Sequence, residues 1–343
     1  MKGRLKFFAS IVLLLLTASC TSVYDRIYPT LVDGKYDSEF PYRNSSAQLE
    51  EISRSIRMIN SIAFYTSYVF DAEKKLKITE LNDTNFESQA VEVIYYNRTA
   101  SGTGTVIFEE QGKVLVLTVA HIVSFPDTVI SYHLNAEGSA TDYIQSVSIK
   151  NRQNNFIPDL PSGGELEIII IDKNIDVAFL GAKYQPAETI RITTFNYPWG
   201  NSSELEWGSF VYVFGFPMNN KMISKGIVSN PGKERFAFLI DAVFNKGFSG
   251  GIVLGVRDGV PNFELVGLVK SVPSEYQYFI QPLAKDHDLD FNPLLPYKGD
   301  FFIQKEQVLR MGITRVIGIE VVKNFVKTNE NYLKSLGYLI KFN

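Results

Sequence analysis

From residue 88 onward, apolar residues fall in short runs rich in β-branched and aromatic side chains, over 90–96, 104–108, 114–120, 166–171 and 177–180. Further runs lie at 210–214, 236–240, 251–254, 265–269 and 276–280, with turn residues between them. This pattern predicts strands, and many short strands in series predict a β-sandwich or barrels. Helical spacing occurs only at the flanks. Leu49, Ile52, Ile56 and Ile59 share one helical face, with Ser45 and Gln48 as a capping box, and predict a helix packed on the following domain. After a last strand over 312–319, Val322, Phe325, Leu333 and Leu336 predict a closing helix that Gly337 can terminate. No internal repeat is present.

The composition of the 343 residues, 45% hydrophobic and 21% charged, allows a full core and excludes disordered and collagenous chains. Formal charge is −3, and without Lys2, Arg4 and Lys6 of the leader 31 basic residues face 37 acidic ones, a net −6. Such a balance argues against nucleic acid as a partner. One Cys and three His supply neither a Cys/His zinc cluster nor an internal disulfide, so metal chemistry is not expected.

The leader has three basic residues, an apolar run from Phe7 to Leu16, then Thr17, Ala18 and Ser19 before Cys20. This is an export signal whose apolar run is about half the length needed to span a bilayer. The segment resembles a bacterial lipoprotein signal, although Leu16 lies one position earlier than the usual Leu. The resemblance implies cleavage after residue 19, acylation of Cys20 and anchoring to the membrane of a bacterial envelope. Thr21 in place of Asp points to the outer membrane. A tether over 20–44 and a helical extension over 45–87 would then precede the strands.

Three segments carry chemistry. Ser249 lies among glycines in Gly247-Phe248-Ser249-Gly250-Gly251, a costly arrangement unless tight backbone geometry is required. Acyl transfer supplies that requirement, because the N–H groups of Gly247 and Ser249 can point at one oxyanion. His121 follows the apolar run 114–120, and Asp176 opens the apolar run 177–180, where a carboxylate needs a donor. Each has an ordinary structural explanation when taken alone, a glycine-rich turn or a packed His. Together they can form a line in which His121 accepts the Ser249 proton while Asp176 stabilises the imidazolium.

Thr118-Val119-Ala120-His121, Asp176-Val177-Ala178-Phe179-Leu180 and the Ser249 segment resemble chymotrypsin-fold serine proteases in their order His, Asp, Ser. Ser101-Gly102-Thr103-Gly104, Gly215-Phe216-Pro217, Lys225-Gly226-Ile227-Val228-Ser229 and Asp241-Ala242-Val243-Phe244-Asn245 extend the resemblance to the bacterial HtrA type. The family's fold is two six-stranded antiparallel β-barrels with the triad in the cleft between them. The first barrel would span 88–190 and the second, with the closing helix, 191–343. The implied activity is that of a serine endopeptidase acting on protein or peptide substrates without a cofactor. Catalytic residues would be His121, Asp176 and Ser249, with Gly247 and Ser249 as the oxyanion hole.

Several departures bear on function. HtrA-type chains usually continue into a PDZ domain, for which nothing is left here, so regulation by a PDZ peptide sensor is not implied. Stretches 131–164 and 284–310 read as insertions. By resemblance the primary specificity pocket falls to Val243, Phe244, Val269, Lys270 and Ser271. Val243 stands where an acid would select Arg or Lys, which points instead to cleavage after small or medium apolar residues. Lys270 occupies a place normally small or hydroxylic, where an ammonium can compete with His121 for Asp176, or can point outward if the strand register differs by one. It favours a rival reading, a protease-fold lipoprotein that only binds proteins. Asp286, Asp288 and Asp290 begin like a calcium loop but lack its Gly and Glu, and read as a solvated loop. His133 and His287 have no catalytic motif around them. Oligomeric state is not legible in the sequence.

Overall fold

A computed structural model describes residues 32–81, 86–135, 139–185, 191–232, 237–242, 245–271, 274–282, 294, 301–309 and 312–342. A short helix α1 (Ser46–Ser53) is followed by β1 (Ile56–Val69), β2 (Glu92–Glu110), β3 (Lys113–Thr118), the single turn α2 (Ala120–Val123), β4 (Thr128–Leu134), β5 (Ala140–Phe156), β6 (Glu165–Asp172) and β7 (Val177–Lys183). These strands run in the order β1-β2-β3-β7-β6-β5-β4, and β1 also pairs with β5, so six of them close a barrel and β4 lies outside it on β5. Every pairing is antiparallel.

The second barrel consists of β8 (Phe210–Gly215), β9 (Met222–Asn230), β10 (Ala237–Ile240), β11 (Ile252–Val256), β12 (Phe263–Ser271) and, after the ribbon β13 (Ser274–Pro282) and β14 (Phe301–Leu309), β15 (Thr314–Gly318). Its six strands close in the order β10-β15-β12-β11-β8-β9. The architecture is thus the expected pair of six-stranded antiparallel barrels, a chymotrypsin-like fold.

Val114–Leu117 and Val177–Leu180 are buried without interruption because both faces of β3 and β7 are covered. The inner face meets the barrel core. The outer face of β7 meets α3 (Ile319–Thr328), which leaves β15 of the second barrel and stacks Phe325 on Phe179 with ring centroids 5.6 Å apart. The following α4 (Glu330–Ser335) ends as expected at Gly337, where the Tyr338 N–H donates to Leu333 at 2.9 Å and the Gly337 N–H to Lys334 at 2.9 Å. Tyr338 then packs edge-on against Phe108. The chain's end therefore fastens one barrel to the other, with each buried aromatic contributing about 1.5–3 kcal/mol.

The helical extension expected over 45–87 stops at Ser53. Ile56 and Ile59 belong to β1, whose inward positions Ile59, Ser61, Ala63 and Tyr65 alternate with partly exposed ones. Ser61 and Ala63 face inward but are polar or small, so the period of two was masked and the isoleucines alone imitated a helix. The first barrel accordingly begins at residue 56 instead of 88. Ser45 makes no capping bond, and Asn44 Oδ1 instead accepts the Ser46 N–H at 2.9 Å.

The tether expected over 20–44 is docked in its described part. Asp37 N–H donates to Val256 at 2.8 Å, Phe210 N–H donates to Asp37 at 2.7 Å, and Arg257 stacks over the buried Tyr36 ring. Of the stretches read as insertions, 131–164 holds the end of β4 and the long barrel strand β5, while the described part of 284–310 forms one side of the β13–β14 ribbon. No helix among the described residues is long and apolar enough to cross a membrane.

Candidate active site

His121 is carried by α2, directly after the buried strand β3. Ala120, Ile122 and Val123 are buried, whereas the His121 side chain is 46% exposed, so the imidazole is the part of this turn left open to the cleft. Asp176 ends the turn before β7 at φ +60°, a left-handed conformation that Asp tolerates better than most residues. Its buried carboxylate, 8% exposed, grips one residue at two points. Oδ1 accepts the main-chain N–H of His121 at 2.9 Å, and imidazole Nδ1 lies 3.0 Å from Oδ2 and 3.2 Å from Oδ1. A carboxylate accepts, so Nδ1 carries the proton and Nε2 is left with its lone pair.

Ser249 sits in a loop held by its backbone. The Phe248 N–H donates to Asn245 at 3.1 Å, that of Gly250 to Val269 at 2.8 Å and that of Gly251 to Phe248 at 2.8 Å. Between these, the N–H groups of Gly247 and Ser249 have no protein acceptor among the described residues. Gly247 adopts φ +105°, and a Cβ there would lie 2.1 Å from the Phe216 carbonyl oxygen, so only glycine holds this geometry. The loop is also joined to the first barrel, since the Thr103 N–H donates to the Ser249 carbonyl at 2.7 Å. Beside it, a Cβ on Gly102 would lie 2.1 Å from Ile122 Cδ1 and 2.9 Å from the Ser249 carbonyl oxygen. A single bare residue therefore separates the His121 turn from the serine.

The Ser249 hydroxyl donates to the Lys270 carbonyl at 3.3 Å, and among the described residues no bond joins it to His121. Lys270 is the extra residue of a bulge: Val269 pairs with Val316 and Ser271 with Arg315, leaving Lys270 between them. Bulges re-aim side chains. Here the ammonium, 41% exposed, lies 3.9 Å from Asp176 Oδ2, so Lys270 meets both the serine and the acid.

The expected specificity pocket is changed by this arrangement. Val269 is fully buried in the second barrel's core beside Val228, Phe238 and Val316 and lines no cleft, because strand alternation turns it inward. Lys270 faces Asp176. Ser271 ends β12, with only its backbone described. Val243, Phe244 and Cys20 lie outside the described residues, as do the acidic run 286–290 and His287. His133 lies on β4, apart from the triad segments.

Two threonines escaped the sequence reading. Thr103 Oγ1 accepts the Phe216 N–H at 2.9 Å and donates to the Gly247 carbonyl at 2.6 Å, while Thr118 Oγ1 donates to the Thr103 carbonyl at 2.7 Å. Both are fully buried and tie the His121 strand to the serine loop. Their signal was hydroxyl residues inside otherwise apolar strand segments, where a buried donor must find an acceptor. No group of three or more His, Cys, Asp or Glu among the described residues is placed to hold a metal ion.

No curated protein gives a significant match to the chain. Residues 102–268, which run from the glycine beside Ser249 and Ile122 to the strand preceding Lys270, match the family model of the trypsin-like peptidase domain. This stretch is therefore similar to a trypsin-like peptidase domain, and the paired barrels that hold it have the chymotrypsin-like fold.

Proposed function

We propose that this chain is a serine endopeptidase in which Ser249 attacks the scissile carbonyl as His121 removes its proton. His121 then protonates the leaving amine, and water releases the acyl group. The observation that carries the reading is the double hold of Asp176 on His121, at the main-chain N–H and at Nδ1. It presets the tautomer in which Nε2 is a base and requires no reorganisation when the imidazolium forms. The Gly247 and Ser249 N–H groups receive the oxyanion. To engage His121, the Ser249 hydroxyl leaves the Lys270 carbonyl by rotation about χ1, a low-barrier change for a serine. Cleavage after small or medium apolar residues follows from Val243 in the position where an acid would select a basic side chain.

A fluorophosphonate probe tests this on the full chain. Wild type is expected to be labelled at Ser249, and Ser249→Ala and His121→Ala to remain unlabelled. Absence of label on folded wild type, with peptide substrate present, would overturn the proposal. It would favour a protein-binding module, the reading supported by the Lys270 contacts to serine and acid. We also propose acylation of Cys20 and attachment to a bacterial envelope membrane, with the outer membrane as the favoured site. Cys20→Ala is expected to move the protein from the membrane fraction to the soluble fraction and to abolish incorporation of labelled fatty acid.

A further inference from the structure

A cavity of about 880 Å³ lies between the turn that carries Asn174 and Ile175 and the strands β9, β10 and β15 of the second barrel. Lys270 and Arg315 are among its lining residues, and no described lining residue is acidic. The two cations lie on paired strands, Lys270 in the bulge and Arg315 opposite Ser271. Arg315 is exposed and has no acidic partner among the described residues. The walls also include the exposed Trp207 and the half-buried Ile175 and Leu239, so the space suits more than an inorganic anion.

We propose that this cavity binds the carboxylate of an acidic peptide segment between Lys270 and Arg315, and that its occupation draws the Lys270 ammonium away from Asp176. The consequence for catalysis rests on the hydrolytic reading above. In the unliganded molecule the ammonium, 3.9 Å from Oδ2, shares the carboxylate that orients His121, and the Lys270 carbonyl holds the Ser249 hydroxyl. A second anion beside Arg315 offers Lys270 an alternative partner. The two sites are coupled only by as much as the ligand distinguishes the two positions of Lys270, which for such devices amounts to roughly five- to 150-fold. A carboxylate is favoured over nucleic acid because the chain is net negative and only two of the cavity's lining residues are cationic, too few to track a phosphate backbone.

The test uses the full-length protein, short synthetic peptides containing Asp or Glu, the same peptides with Asn or Gln, and sulfate. Trp207 fluorescence reports binding, with Trp207→Phe as control, and the rate of fluorophosphonate labelling reports the serine. The acidic peptides are expected to change Trp207 fluorescence and to speed labelling about tenfold. Arg315→Gln, at an exposed position, should weaken binding and leave the unstimulated rate unchanged. Lys270→Met should label fast without peptide and gain nothing from it. Equal effects from the amide peptides, a response matched by sulfate, or undiminished binding to Arg315→Gln would overturn the site. Binding without a change in rate would overturn the coupling. If acidic peptides bind but wild type, its peptide complex and Lys270→Met all remain unlabelled, the site stands and the hydrolytic reading fails.

Discussion

On the first-barrel side of the cleft, His121 is fixed through a side chain: two oxygens of a buried carboxylate grip it at its backbone and its ring. On the second-barrel side the serine loop is fixed through its backbone, and the hydroxyl itself makes one long bond of 3.3 Å to a carbonyl. In the proposed mechanism such a division presets the base and leaves the nucleophile free to rotate. Substitutions in the first half should therefore act on chemistry through orientation, while those in the second should act through the backbone that aims two N–H groups.

The sharpest way to break the first half is Asp176→Asn, which keeps size and the left-handed conformation but places an amide against Nδ1. The wrong imidazole tautomer then becomes favoured, and kcat should fall about 10⁴-fold with little change in KM. Steady-state kinetics on a peptide substrate, with circular dichroism to show that the barrels persist, check this. A loss below about tenfold would mean that Asp176 does not set the tautomer.

Gly247→Ala probes the other half. The added methyl would meet the Phe216 carbonyl oxygen at 2.1 Å, and the φ of +105° is unfavourable for alanine, so the peptide between residues 246 and 247 must turn. Losing one oxyanion donor costs roughly 10²–10³ in kcat, and the strain adds about 1–3 kcal/mol of destabilisation. The expected signature is a kcat loss with KM preserved, which separates it from general unfolding.

How much of this division could be read from the residues varies along the chain. The β3 and β7 runs were legible because they are apolar without interruption, and the glycines around Ser249 were legible because they are expensive elsewhere. The strand β1 was not, since its inward positions include Ser61 and Ala63 and local periodicity favoured a helix. Strands β4 and β5 were read as an insertion because polar residues such as Asn151, Arg152 and Gln153 lie within a barrel wall exposed on one side. The Lys270 side chain was ambiguous because one extra residue in a bulge reverses which way it points, and the pairing of Val269 with Val316 and of Ser271 with Arg315 is a long-range property.

Thr103→Val tests the tie between the halves. It removes the acceptor for the Phe216 N–H and the donor to the Gly247 carbonyl, leaving two backbone groups unpaired at a cost of about 1–3 kcal/mol each before relaxation. Stability should drop, and kcat should fall by about tenfold, less than for Gly247→Ala, because the Thr103 N–H still holds the Ser249 carbonyl. Thr103→Ser, which restores the hydroxyl, should recover most of the activity. Failure of that rescue would show that the methyl, not the hydroxyl, matters.

The smallest expected effect lies outside the cleft, where the docked segment tests whether the second barrel's support is independent of its catalytic face. Burial pushes the Asp37 carboxyl up to about 6, opposed by the Gly259 N–H that donates to it at 3.0 Å and reinforced by Glu39, Asp258 and Asp33. A carboxyl held above its unfolded value stabilises the fold fully below about pH 4 and loses that contribution as pH rises through 6. Wild type should therefore melt at lower temperature at pH 7.5 than at pH 5 by an amount that Asp37→Asn removes. The variant keeps an oxygen for Gly259 and avoids the buried charge, so at pH 7.5 it should gain about 1 kcal/mol, or a few degrees in Tm. Because Asp37 bonds to Phe210 and Val256, at the ends of β8 and β11 opposite those next to the serine loop, the labelling rate of Ser249 should not change. A parallel shift of both Tm and labelling rate would show that the docked segment and the serine loop form one cooperative unit.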